Sequence, residues 1–104
     1  MKRTLLAALS VVATFAVTTP AFADLALATS KNCMACHAVD KKLVGPAYKD
    51  VAKKYAGDAK AADMLAAKII KGGSGVWGPV PMPANAQVSE AESKKLAAWV
   101  LSLK

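Results

Sequence analysis

Apolar positions along this chain recur at helical spacing, in stretches separated by glycine and proline. Tyr48, Val51, Ala52 and Tyr55 fall at i, i+3, i+4 and i+7, which is one face of a helix. Pro46 stands just before this stretch, where a helix start tolerates it, and Gly57 lies just beyond, where a helix end favours glycine. A second helix is predicted over about Ala61 to Lys71, with Met64, Leu65, Ile69 and Ile70 apolar and Gly72-Gly73 as its stop. The clearest is the last, where Leu96, Trp99, Val100 and Leu103 recur behind Ser89 and Glu92, the two members of a capping box. A shorter helix is expected over Leu25 to Asn32. Alternating β-branched runs are absent, so nothing reads as a strand pair and the fold class is all-α with about four helices. Between the last two helices, Gly72 to Val88 reads as one long irregular segment, and loops of that length in compact domains are usually functional.

The N-terminus follows a different pattern. Lys2 and Arg3 precede an apolar run from Leu5 to Val17, then Pro20 breaks it and Ala21-Phe22-Ala23 supplies small residues at a cleavage position. That is the layout of a secretory signal peptide over residues 1–23, leaving residues 24–104 as one domain. A membrane anchor is the rival reading, but the apolar run is shorter than the ~20 residues a spanning helix needs. Loss of Lys2 and Arg3 lowers the formal net charge from +7 to +5. Export to an oxidising compartment, here the periplasm, would normally pair two cysteines, yet these two are too close for an ordinary disulfide loop.

Cys33-Met34-Ala35-Cys36-His37 resolves that puzzle. The spacing C-x-x-C-H is the attachment motif of c-type haem: two thiols a helical turn apart each form a thioether with one haem vinyl, and the adjacent histidine lies under the iron. A thioredoxin-like redox pair would need a βαβ pattern, which is missing. A zinc site would need further ligands, and the chain has no other Cys or His. With no second histidine, the sixth ligand of a low-spin haem falls to a methionine. Met34 lies inside the attachment loop, and Met64 sits on the apolar side of a helix, where core packing is the commoner role. Met82 stands in Val80-Pro81-Met82-Pro83, where flanking prolines restrict the backbone and hold the thioether with little entropy left to lose.

On CMACH (33–37), LVGPAYKDVAKKYAG (43–57), GVWGPVPMPAN (75–85) and LAAWVLSLK (96–104), residues 24–104 resemble the small bacterial class I cytochromes c, periplasmic electron carriers of denitrifying bacteria and their relatives. The resemblance implies the cytochrome c fold wrapped around one haem c, bound covalently through Cys33 and Cys36, with His37 and Met82 as axial ligands. It implies that the Pro46 carbonyl accepts from the His37 ring and that the Trp77 indole donates toward a haem propionate. It further implies that Asn85 hydrogen-bonds near the methionine and that Lys68 approaches a propionate where relatives often carry arginine. Ala86-Gln87-Val88 is one residue longer than in some relatives.

The function implied is outer-sphere transfer of single electrons between a respiratory donor and a terminal reductase or oxidase, without bond chemistry on a substrate. Lys31, Lys41, Lys42, Lys49, Lys53, Lys54, Lys60, Lys68 and Lys71 precede the methionine segment. Their summed field would steer acidic redox partners to an exposed haem edge, with Met34, Ala35, Ala38 and Val39 as an apolar docking centre. Nitrite reductase, a terminal oxidase, quinol-cytochrome c reductase and a peroxidase are the candidate partners. Nucleic acid is not expected for an exported chain, and a monomer is the default. The rival reading is a haem enzyme or gas-binding protein with a labile sixth ligand, such as a peroxidase. It would need distal acid–base groups, but no histidine or carboxylate occurs between Gly72 and Val88.

Overall fold

A computed structural model describes residues 10–11 and 20–104. Most of the expected signal peptide lies outside the described residues. The elements in chain order are α1 (Pro20–Ser30), a 3-10 turn (Cys33–Ala35), α2 (Tyr48–Lys54), α3 (Ala61–Lys71), β1 (Gly73–Gly75), β2 (Gly78–Met82) and α4 (Glu90–Ser102).

Helix α4 is the hub, packed against α1, α2 and α3. Its start is fixed chemically. Ser89 Oγ accepts from the Glu92 backbone N–H at 3.1 Å, and the Glu92 carboxylate accepts from the Ser89 N–H at 3.0 Å. The stripe beyond that cap is buried: Leu96, Trp99 and Val100 join Ala28 of α1, Tyr48 and Val51 of α2 and Val88 in one core. Trp99 meets Tyr48 edge-on, with ring centroids 5.5 Å apart and planes at 76°. Small buried residues on the facing helices, Ala61 and Ala66 on α3 with Ser93 and Ala97 on α4, let these two axes approach closely.

Two expectations are corrected. The N-terminal helix begins at Pro20 and not at Leu25, since proline is tolerated in a first helical turn, where its missing N–H has no partner to lose. This helix runs through the expected cleavage point after Ala23. It ends at Ser30, and Asn32 adopts a left-handed conformation (φ 64°) that turns the chain into the cysteine motif. The segment after α3 is not wholly irregular either. β1 and β2 form a small antiparallel ladder, pairing Gly73 with Met82 and Gly75 with Gly78 around a bulge, with Val76-Trp77 at the turn. Glycines and prolines hide such a ladder from pattern reading. It has only two strands, so each proline of β2 can face away from its partner without leaving a gap in the pairing.

Candidate haem site

The attachment motif is wound into a single helical turn, with the Cys36 and His37 N–H groups both directed to the Cys33 carbonyl, at 3.2 and 3.0 Å. This places Cys33, Cys36 and His37 on one wall of a cavity of about 410 Å³. Both cysteines are half-buried and neither is in a disulfide. Burial pushes the Cys33 thiol up from its ordinary value. Burial likewise drives the Tyr48 hydroxyl well above the ordinary phenol range.

Three neighbours fix the His37 ring. Its Nδ1 lies 2.8 Å from the Pro46 carbonyl oxygen. A carbonyl only accepts, so the proton sits on Nδ1 and the Nε2 lone pair is free for a metal. Tyr48 stacks on the ring at 4.8 Å between centroids and 20° between planes. Gly45 lies against the ring so closely that a Cβ there would stand 2.5 Å from Cε1 and 2.8 Å from Nδ1. Gly45 is itself anchored by a 2.7 Å bond from its N–H to the Cys36 carbonyl. Gly45 and Tyr48 are site residues that pattern reading missed. Tyr48 was absorbed into a helix face, and the signal for Gly45 was its place beside Pro46.

The other wall is α3 and the hairpin. Met82, Trp77, Lys68, Asn85 and Met64 all reach the cavity, as does Leu96 of α4. Met82 ends β2, where its backbone lies against Gly72 (φ +71°); a Cβ on Gly72 would collide with the Met82 carbonyl oxygen and meet Ala84 N at 2.8 Å. Lys68 runs beneath β1, its Nζ 2.6 Å from where a Cβ on Gly73 would be. Trp77 carries the Lys54 ammonium 5.7 Å from its ring centroid, a cation–π contact that ties the hairpin turn to α2. The Asn85 Nδ2 donates to the Ile69 carbonyl at 2.8 Å and toward the Pro83 carbonyl at 3.3 Å. Met64 is more exposed than its apolar setting predicts.

The residues present fit a haem. The cavity falls within the roughly 300–1,000 Å³ usual for cofactor sites. Its walls are mainly apolar, and two cysteines, an oriented imidazole, two lysines and an indole line it. Among the described residues no group of three or more His, Cys, Asp or Glu could hold a bare metal ion. The site thus defines a covalent haem protein on a small, mainly helical scaffold.

The comparisons with known proteins agree. The cytochrome c family profile matches residues 25–104. The chain is 63% identical over 83 residues to cytochrome c-552 of Hydrogenobacter thermophilus, covering 80% of this chain and 84% of that protein. It is 61% identical over 75 residues to cytochrome c-551 of Pseudomonas aeruginosa, covering 72% of this chain and 71% of that one. The crystal structure of wild-type Nitrosomonas europaea cytochrome c552 matches with a TM-score of 0.75 at 56% identity, over 77% of this chain and 99% of that chain. The chain therefore belongs to the cytochrome c family, among its small class I members, and carries one haem c bound covalently through Cys33 and Cys36. Its activity is electron transfer.

Proposed function

We propose that residues 1–23 direct export and are removed, and that residues 24–104 work in the periplasm as a monomeric shuttle for single electrons, with no bond chemistry of their own. Among the described residues no helix is long and apolar enough to cross a membrane. In this reading His37 and Met82 would hold the haem iron. Haem c supplies the redox centre when bound; the chain presents Nε2 of His37, holds its proton on Nδ1 through Pro46, and keeps water from the pocket with Tyr48, Leu96 and Val100. The observation that carries the reading is the shared cavity, with a carbonyl-oriented histidine on one wall and a backbone-clamped methionine on the other. Trp77 and Lys68, both on the α3–hairpin wall, are suited to meet the propionates. Thioether ligation opposite imidazole raises the potential, as does apolar burial.

The test is spectroscopic. The ferric protein should show a weak far-red band from iron–sulfur coordination, lost in Met82→Ala and kept in Met64→Ala. The ferrous protein should resist carbon monoxide. Rapid carbon monoxide binding by the unaltered protein would instead favour the rival reading, a haem enzyme or gas-binding protein.

Partners in this proposal are acidic redox proteins. Val44, Val76 and Val80 on the cavity rim are exposed, and Lys42 and Lys68 also line the cavity. This combination gives an apolar contact centre within a positive field. A nitrite reductase, a terminal oxidase, a quinol-cytochrome c reductase and a peroxidase all remain eligible.

A further inference from the structure

We propose that Gln87 is a positioning residue for the methionine ligand, acting through a two-amide relay that joins the end of α1 to the methionine segment. This proposal rests on Met82 as axial ligand. The Gln87 Nε2 donates to the Lys31 carbonyl at 3.1 Å and to Asn85 Oδ1 at 3.1 Å. Asn85 passes the pattern on, its Nδ2 donating to the Ile69 carbonyl at 2.8 Å and toward the Pro83 carbonyl at 3.3 Å.

Polarity makes this arrangement unique. Both ends of the relay are backbone carbonyls, which only accept. Turning the Gln87 amide over would set its oxygen against the Lys31 carbonyl. Turning the Asn85 amide over would set its oxygen against the Ile69 carbonyl and two donors against each other. Each amide therefore favours the other's orientation. The Asn85 amide so oriented holds the Pro83 carbonyl, one residue beyond Met82, against the end of α3.

The other end of the relay is equally anchored. Lys31 Nζ donates to the Gln87 carbonyl at 3.0 Å and pairs with Glu92 at 3.3 Å, so one lysine joins α1, the end of the methionine segment and the first turn of α4. Lys31 stands two residues before Cys33. The relay thus runs from Lys31, two residues before the attachment turn, to Pro83, the residue after the methionine, by a route separate from the haem itself.

Imidazole binding to the ferric holoprotein tests this. Exogenous imidazole can reach iron only when the methionine is off, so its apparent affinity scales with the fraction of molecules in that open state. Gln87→Ala removes the relay. Gln87→Glu keeps the size and the acceptors but removes the donor. Of the two bonds that Gln87 donates, the one to Asn85 bears on the methionine, and its loss predicts an about fivefold tighter apparent affinity for imidazole in both variants. A weaker far-red band near neutral pH should accompany it.

Unchanged imidazole affinity in both variants, with only the urea midpoint lowered, would reduce Gln87 to a structural tie and overturn the proposal. Parent-like affinity in Gln87→Glu would overturn donation as the cause. Met82→Ala is the control for the underlying reading, because it should tighten imidazole binding far more and abolish the far-red band. If Met82→Ala changes neither, the ligand assignment falls, and the link from Gln87 to iron falls with it.

Discussion

The residues that shape this site most tightly are the ones with least side chain. Gly45 gives the His37 ring its place, and its substitution to alanine would drive a methyl group into the imidazole edge. The ring could yield only by leaving Tyr48 or lengthening the 2.8 Å bond to Pro46. Gly45→Ala should therefore cost about 1–3 kcal/mol, the usual range for overpacking. It should also shift the His37 ring resonances, and urea titration with NMR of the ferrous protein checks both. Gly72→Ala is expected to act on the opposite wall. A positive φ penalises any Cβ by roughly 1–2 kcal/mol, and here the Cβ also meets the Met82–Ala84 backbone. Its far-red band should weaken more than that of Gly57→Ala, which shares the positive φ (+77°) but would meet nothing within 4 Å. Neither close approach was legible in the sequence. A motif exposes ligand types and spacing, whereas Gly45 against His37 and Gly72 against Met82 are contacts made only after folding. Cys33, Cys36 and His37 were legible because their chemistry is local, within a single turn of chain.

At the scale of elements, local signals predicted what local forces decide. The Ser89–Glu92 box, the Gly72 stop and the Tyr48–Tyr55 face all reappear, since capping and amphipathic burial act within a few residues. The β1–β2 ladder escaped because its strands are built from glycine and proline and carry no alternating apolar face. Helix α4 supports two predictions. Ser89→Ala should lower stability by about 1 kcal/mol, the usual value of an N-cap, read from the urea midpoint. The second concerns acid. The Ser89 N–H, and after it Lys31, hold the Glu92 carboxyl below its ordinary value of 4.5. A depressed folded-state value means stability that is present above the unfolded value and lost as pH falls through the folded one. The urea midpoint should therefore decline on acidification below about pH 4.5, and Glu92→Gln should flatten that decline while lowering stability at neutral pH.

At the scale of the whole molecule, the cavity and the core share their walls. Tyr48, Val51, Leu96 and Val100 belong to the buried cluster and also line the haem cavity, so the protein core is only half of what these side chains pack against. A chain of this size has a core worth only ~3–5 kcal/mol. The cavity is open to solvent, so without haem these four side chains would face water on that side. The haem-free chain is therefore expected to collapse or unfold. Cys33→Ala/Cys36→Ala, purified without haem, should lose near-UV circular dichroism and cooperative urea unfolding, while residual far-UV helicity persists around the capped α4. The Trp99 indole offers an internal probe, since its Nε1 is the one buried side-chain polar atom among the described residues with no partner. An unpartnered N–H stays dry only while packing excludes water. With Trp77→Phe to leave Trp99 as the sole emitter, its emission should be blue-shifted in the holoprotein where haem does not quench it, and in the haem-free chain it should move to the red. A cooperative transition with unshifted Trp99 emission in the haem-free variant would mean that the helices hold the cavity open unaided, and that haem is cargo of the fold and not a part of its core.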